Sequence, residues 1–303
     1  MRNVLTIDVE DYFQVSAFEG LIKRCDWQTY PMRVGNNTRR ILDMLDGSGV
    51  SATFFILGWL AERDSSLVRE INRRGHEVAC HGYWHQRVTT QTRQEFREDI
   101  RNSKAVLEDL IGKPVVGYRA PSYSISLNSL WAFDELIEAG YIYDSSVFPV
   151  HHDYYGIPDW PRFPFHVLQG TDGNWAPESA SPAHDGSKPE LASRMLEIPI
   201  TTLNLCGKNI PIAGGGYFRF FPYAFTRWGL KRIGRIDKKP FVFYLHPWEL
   251  DPDQPRIAGT GMKARFRHYL NLHKTEHRFR QLLSDFQFSS MGGFLEAYSS
   301  ECA

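Results

Sequence analysis

Residues 4–11 read VLTIDVED and residues 52–57 read ATFFIL. The first is an apolar, β-branched run that ends in Asp8, Glu10 and Asp11. The second is apolar on both faces, as a strand is when helices cover both sides of its sheet. Carboxylates placed directly after a buried parallel strand stand at its C-terminal end, where folds of this class keep their chemistry. Residues 77–80 and 115–118 are shorter strand candidates, and 196–200 (LEIPI) and 241–245 (FVFYL) are later ones. Between them, residues 93–111 space Phe96, Ile100, Ser103, Leu107 and Leu110 by three and four, which makes one helical face. Residues 128–139 form a second helical pattern, closed by Gly140. Strand alternating with helix predicts an α/β fold around a parallel sheet.

The alternation breaks after Pro149. Seven prolines fall between residues 149 and 190, mixed with Gly, Asp, Ser and aromatics. This reads as an irregular insertion (about 150–190) laid over the domain, with an exposed tip near 179–189. Gly214-Gly215-Gly216-Tyr217-Phe218-Arg219 reads as a loop whose glycines permit positive φ and the close approach of another group. A long polar helix is expected at about 261–286, then a last short strand. Without a linker, residues 1–303 count as a single domain.

Composition narrows the function. Thirty-five basic residues balance thirty-five acidic ones, so nucleic-acid binding through bulk charge is not expected. No apolar run is long enough to span a membrane, and carboxylates within the first eleven residues leave no room for a secretory leader. Cys25, Cys80, Cys206 and Cys302 are scattered and form no CxxC pair, which suits a reducing compartment; a cytoplasmic location is expected.

Four polar clusters sit at the ends of candidate strands: Asp8-Val9-Glu10-Asp11, His81-Gly82-Tyr83-Trp84-His85, Tyr118-Arg119-Ala120-Pro121-Ser122-Tyr123 and His246-Pro247-Trp248-Glu249. His81 and His85 form an H-x-x-x-H pair that a helical turn would present on one side to a metal such as Zn²⁺. His273 and His277 share that spacing, but Lys274 and Glu276 between them mark a solvated face. A histidine pair needs a carboxylate as third ligand. Asp8 and Glu10, two apart on an extended segment, point the same way, so one can bind metal while the other takes a proton from water. Asp11 can join them or cap the following helix. Arg119 can hold a carboxylate bidentately or form a structural ion pair. His246 is a general acid or a satisfied core histidine, and Asp144 can orient it or cap a turn.

TIDVED (6–11), HGYWH (81–85), YRAPSY (118–123), YDSS (143–146) and LHPWE (245–249) resemble the five ordered motifs of the NodB-homology polysaccharide deacetylases, and ATFFILGWLAE (52–62) resembles that family's second strand. The resemblance runs from Val4 to about Asp251. GGGYFR and Arg267-His268-Tyr269 are similar to the branch associated with exosortase and exopolysaccharide loci. It implies a distorted (β/α) barrel with fewer than eight full units and a divalent metal, Zn²⁺ first with Co²⁺, Ni²⁺ or Mn²⁺ as alternatives. Carried over, Asp8 is the general base, His81 and His85 are metal ligands, Arg119 tethers the base and His246 is the general acid. The backbone N–H near Tyr123 helps bind the oxyanion. The family pattern has two adjacent aspartates at its first motif, whereas this chain has Asp8-Val9-Glu10-Asp11. The carboxylate ligand therefore falls to Glu10 or Asp11, and strand parity favours Glu10.

The expected activity is metal-dependent hydrolysis of N-acetyl groups from N-acetylhexosamine units of a glycan, in exopolysaccharide biosynthesis. Residues 160–165, Trp175 and residues 217–221 are candidates to stack on sugar rings or to anchor loops. An allantoinase-like hydrolase of small amides and an inert glycan-binding module are the rival readings. Alanine at His81 is expected to abolish bound metal and acetate release together; full activity retained in that variant would refute a metal-centred mechanism.

Overall fold

The computed structural model describes residues 2–152, 155–170, 173–180 and 194–302. Strand β1 (Asn3–Val9) is buried almost throughout. It pairs in parallel with β2 (Thr53–Ile56), which pairs with β3 (Glu77–Cys80), followed by β4 (Gly117–Tyr118), β5 (Tyr143–Asp144) and, across the insertion, an outer strand. The insertion is not wholly irregular. It folds β6 (Phe165–Gln169) and β7 (Trp175–Pro177) into an antiparallel hairpin on the edge of that outer strand, β8 (Arg194–Glu197). The tip expected near 179–189 lies, from residue 181 on, outside the described residues. Strands β9 (Thr202–Leu205) and β10 (Lys208–Pro211) form a separate hairpin, and β11 (Val242–Leu245) returns to the other side of β1, with β12 (Phe288–Ser289) beside it.

The β8 and β11 ends of this parallel array are joined without a strand ladder. The Val242 amide donates to Thr201 Oγ1 at 2.7 Å and the Tyr244 amide to the Ala213 carbonyl at 3.1 Å. The result is the distorted (β/α) barrel expected from the sequence. A single isolated bridge, Gly214 to Tyr244, stands where a regular barrel would have a full strand ladder.

Helices on the outside are held by local chemistry. α1 (Val34–Ser48) receives its N-terminal cap from a distance, because Asp11 Oδ2 accepts the Arg33 and Val34 amides at 2.6 and 2.9 Å. α2 (Gly58–Arg63) and α3 (Ser65–Arg73) precede β3. α4 (Arg93–Ile111) opens on a capping box between Thr92 and Glu95 and closes on left-handed Gly112; Phe96, Ile100, Ser103 and Leu107 face the core. α5 (Ala132–Glu138) is shorter than the pattern over 128–139, whose first residues form a separate tight turn.

Three expectations for the second half need correction. The GGGYFR segment is mostly helix, α6 (Gly215–Phe220), leading to α7 (Tyr223–Arg232). The polar helix expected over 261–286 is two helices, α8 (Met262–Tyr269) and α9 (Leu272–Asp285), because Asn271 adopts φ 53° and turns the chain. Helix α10 (Met291–Cys302) follows β12 and was not expected. The close approach read from the glycines is present. Gly214 has φ 129° and its missing Cβ would lie 2.0 Å from the Tyr244 carbonyl oxygen.

Gly214→Ala should therefore lower stability by at least about 3 kcal/mol, since backbone strain and a clash with backbone add. Gly234→Ala, where a Cβ meets nothing within 4 Å, should leave the urea midpoint within about 1 kcal/mol of the parent. Equal midpoints for the two variants would contradict this packing.

Candidate active site

Strand register levels the functional residues. Ile7 pairs with Leu245, so Asp8 comes at the height of His246. Val9 pairs with Ile56, Ile56 with Cys80 and Cys80 with Tyr118, so Glu10, His81 and Arg119 each stand one residue past the paired row. Asp8 and Glu10 share a face of the chain, as their spacing requires. Both reach His246 Nε2, Asp8 Oδ2 at 3.9 Å and Glu10 Oε1 at 3.2 Å.

Glu10 is the carboxylate that meets the histidine pair. Its Oε2 lies 2.8 Å from His85 Nε2, and one donor atom each of Glu10, His81 and His85 lie within 4.8 Å of one another, all three residues buried. The Glu10–His85 contact is at ion-pair distance but off hydrogen-bond direction, so Glu10 Oε2 is a buried oxygen with no directed donor. His81 Nδ1 donates to the Arg119 carbonyl at 2.8 Å, which fixes the tautomer and leaves Nε2 unprotonated. An orphaned carboxylate oxygen beside two imidazoles is a donor set that fits a borderline divalent cation.

The histidine pair is not on a helical turn as its spacing suggested. Residues 81–85 form a loop in which Gly82 has φ 74° and His85 φ 49°. Asp99 on α4 braces it by accepting the Tyr83 and Trp84 amides at 2.8 and 3.2 Å. The two rings stand 5.4 Å apart.

Asp8 is held by Arg119. The guanidinium is fully buried and spends its donors on Asp8 Oδ1 at 2.5 Å, Thr6 Oγ1 at 2.8 Å, the Ser145 carbonyl at 3.1 Å and Ser145 Oγ at 3.0 Å. It lies over the Phe55 ring. The contact to Asp8 engages one carboxylate oxygen only, and Tyr123 donates its hydroxyl to the other at 3.2 Å. Burial, with Asp8 adding to it, raises the Tyr123 phenol well above its ordinary value, so the hydroxyl remains a donor. The Tyr123 amide, expected to face an oxyanion, instead closes a turn onto the Ala120 carbonyl at 3.0 Å. Ser122 and Tyr123 both take left-handed φ, 55° and 54°.

Two candidates fall outside this cluster. Asp11 points away from the histidines and is used up in capping: besides Arg33 and Val34 it accepts the Tyr12 amide at 2.9 Å. Burial raises its pKa to about 6 against the lowering effect of those three amides. Asp144 does not touch His246. It accepts from Ser146 through the amide at 3.1 Å and the hydroxyl at 2.6 Å, and it shares a buried environment with Glu197, where desolvation raises both carboxyls. The group beside His246 Nδ1 is Glu249, 3.4 Å away, itself 3.3 Å from Arg219. Sequence reasoning gave Glu249 no role, although LHPWE places it three residues after the histidine, the spacing that brings it back over His246 in the tight turn at Pro247–Leu250. Trp248, also unassigned, stacks on His246 with ring centres 5.3 Å apart and donates to Glu10 Oε1 at 3.4 Å.

The electrostatics follow from burial and neighbours. Desolvation alone would raise Glu10, but His85 and His246 outweigh it and hold the carboxyl at about 2. Burial pushes His81 down to about 4, against the pull of Asp8, so its imidazole is neutral near pH 7. Burial also works against the charged form of His246, yet Glu10, Glu249 and Asp8 surround it and raise it to about 9.

Residues 23–137 match the polysaccharide deacetylase family. That match takes in 115 of the 303 residues, all in the first half of the chain. Residues 145–296 match a further family, described as a domain of unknown function, DUF3473. The site draws on both matched regions, His81, His85, Arg119 and Tyr123 from the first and His246 from the second, with Asp8 and Glu10 ahead of either. A peptidoglycan-N-acetylglucosamine deacetylase of Bacillus cereus is 34% identical over 99 residues, 32% of this chain and 36% of its own length. A peptidoglycan deacetylase of Helicobacter pylori is 32% identical over 117 residues, 38% of each chain. The match thus spans about a third of the length of these curated relatives. Among solved structures, a candidate polysaccharide deacetylase from Mycobacterium smegmatis superposes with a TM-score of 0.58 at 19% identity, covering 98% of this chain and 90% of its own. An allantoinase does so at 0.53 and 16%, covering 94% and 85%. Both share the fold.

His246 supplies a test of these charges. Its folded pKa lies above the ordinary 6.5, so the stability it contributes is complete below pH 6.5 and is lost as pH rises through 9. Metal-free protein should lose up to about 3 kcal/mol across that window, measured as urea midpoints, and His246→Gln should flatten the dependence there. An unchanged slope in that variant would contradict the assignment.

Proposed function

We propose that this chain is a metal-dependent hydrolase that removes N-acetyl groups from N-acetylhexosamine units of a glycan. The observation that carries the reading is the divergence of two carboxylates on one strand. Asp8 is tied to Arg119 and Tyr123, Glu10 faces His81 and His85, and the same imidazole, His246, stands within 3.9 Å of the first and 3.2 Å of the second. Glu10, His81 and His85 would hold the divalent ion, Zn²⁺ by its affinity for such a donor set, and the ion when bound would supply Lewis-acid polarisation of the amide carbonyl and acidification of water.

The chain's own residues do the rest. Asp8, fixed through Oδ1, keeps Oδ2 toward the site and takes the proton from the attacking water. His246 carries a proton at Nε2 and gives it to the departing amine nitrogen; Glu249 at Nδ1 keeps the ring charged and in place. Tyr123 Oη holds Asp8 Oδ2 in plane. Trp248 and Tyr244 flank His246, with ring centres 5.3 and 5.6 Å from it, and wall the site from bulk water.

Beside the site, on the far side of the Tyr244 and Trp248 rings that flank His246, lies a cavity of about 500 Å³ lined also by Tyr155 and Tyr217, with Phe220 and Phe266 exposed at its rim. An aromatic cleft with an open rim suits sugar rings in a chain better than a small closed amide. Residues of GGGYFR and of Arg267-His268-Tyr269 line this same cavity, which supports a substrate from exopolysaccharide biosynthesis. Trp160 and Trp175 serve otherwise. Both are buried against Phe133, and Trp175 donates to Asp134 at 2.9 Å, so they anchor the insertion to α5. The names carried by the Bacillus cereus and Helicobacter pylori relatives support the reading of N-acetylated glycans as substrates.

Acetate release from N-acetylglucosamine oligomers, measured with and without chelator, tests this. Chelation should abolish release and added Zn²⁺ restore it. Asp8→Asn should keep the metal and lose about 10²- to 10⁴-fold in rate, whereas Glu10→Gln should lose the metal itself. Asp11→Asn should retain metal and be destabilised. Metal loss in Asp11→Asn with retention in Glu10→Gln would overturn the ligand assignment, and release untouched by chelator would overturn the chemistry.

A further inference from the structure

Between Tyr223 and Lys239 the sequence holds six basic residues and one acidic residue, in a chain whose net charge is zero. Helix α7 and the π-turn that continues it, Ile233–Asp237, divide these residues by face. Thr226, Leu230 and Ile233 are buried against the core. Arg227, Trp228, Lys231, Arg232, Arg235 and Ile236 recur at intervals of three and four and line one groove of about 760 Å³ between this helix and α9.

Charge alone on that face would mark a solvated helix. Here Trp228 is 48% exposed and Ile236 62% exposed among the basic side chains. The acidic groups nearby do not cancel the charge. Asp285 meets Arg227 at 2.9 Å and bonds Tyr223, while Asp237 is paired by Arg162 at 3.2 Å from the other side. Among the described residues Lys231, Arg232 and Arg235 form no ion pair, although Lys231 adds to the positive charge acting on Asp285, and they surround two large apolar groups. A row of rings continues from this face: Trp228 to Phe225 at 5.6 Å, Phe225 to Phe221 at 4.9 Å and Phe221 to Phe220 at 5.1 Å. Phe220 and Phe221 line the cavity beside the candidate active site.

We infer that the outer face of α7 and its π-turn docks the protein onto an anionic lipid bilayer, Trp228 and Ile236 entering the headgroup layer and Lys231, Arg232 and Arg235 meeting lipid phosphates. An amphipathic helix with basic residues around Trp and Ile lies in the interface plane, its apolar groups anchoring and its cations supplying the long-range attraction. Among the described residues no helix is long and apolar enough to cross a membrane. The complementarity of charge selects anionic over zwitterionic lipid. The inference stands independently of the proposed deacetylation, because none of these residues belongs to the metal centre or to the groups around His246.

Co-sedimentation of the full chain with vesicles of phosphatidylcholine, with and without roughly one-third phosphatidylglycerol, tests it. Binding is expected on the anionic vesicles only, falling steeply with salt. The double variant Lys231→Glu/Arg235→Glu should bind more than about twentyfold more weakly, each basic group near an anionic surface contributing about fivefold. Trp228→Ser/Ile236→Ser should weaken binding at low salt with an unchanged circular dichroism spectrum and urea midpoint, which separates lost docking from lost folding. Equal binding to both vesicle types, no binding to anionic vesicles at low salt, or anionic-vesicle binding untouched by both double variants would overturn the proposal. So would charge-dependent retention on heparin without vesicle binding, which would assign the face to a soluble polyanion.

Discussion

A guanidinium and a carboxylate are enclosed together at the end of β1, where water does not reach them. Taking both ions out of solvent costs several kcal/mol each, and their attraction offsets this only when the remaining donors and acceptors are met. Arg119 meets that condition through Thr6, Ser145 and Asp8, and Asp8 through Tyr123. These partners come from β1, the turn after β4 and the end of β5. The ion pair therefore ties three strand ends at one level, and the same backbone that carries Arg119 accepts the His81 ring proton. Removing either ion would strand the other in a low-dielectric interior, so the barrel rim and the site are stabilised by one arrangement.

Around this pair the charges are nearly balanced. Asp8, Glu10 and Glu249 face Arg119, Arg219 and protonated His246. Glu10 is the member without a permanent counter-charge: its neighbours are imidazoles, and one of its oxygens lacks a directed donor. A divalent cation held there, as proposed, would supply the positive charge that the protein's own groups leave short. Occupancy of that centre would then change the charge beside the His246 imidazole. This is how one set of residues can present a basic carboxylate and an acidic imidazole four ångströms apart.

Legibility in the sequence followed the range of the interactions involved. Apolar runs and helical spacings gave β1, β2, β3, α4 and the barrel class, because burial of a strand or of one helical face is written in consecutive residues. Glu10 over Asp11 was readable from strand parity. The rest depends on contacts distant in the chain. The capping role open to Asp11 is the one it takes, but the helix it caps begins over twenty residues later, and that partner is not legible in VLTIDVED. Asp144 turned from His246 to Glu197 because β8, not β11, is its neighbour in the sheet, a fact of topology. The His81–His85 loop takes left-handed φ at Gly82 and His85 while Asp99 holds the Tyr83 and Trp84 amides between them, so the two imidazoles come together in a loop and not on the helical turn that their spacing suggested. The β6–β7 hairpin was hidden by prolines, which mask strands at sheet edges where a missing amide proton does no harm.

Joining the barrel at Thr201 and Ala213 in place of a full strand has an architectural consequence. On the ladder side, each functional side chain is indexed by paired backbone, and a one-residue insertion there would rotate every group out of place. On the seam side, residues 198–241 meet β11 through the Thr201 and Ala213 contacts and are held to the rest of the chain mainly by side-chain contacts, such as Arg219 to Glu249 and to the His268 carbonyl and Arg278 to the Phe218 carbonyl. The cleft wall of α6 and the basic face of α7 both belong to that segment. The cavity wall and the basic face thus sit on chain that side-chain packing positions, whereas Asp8, Glu10, His81 and Arg119 are positioned by strand register.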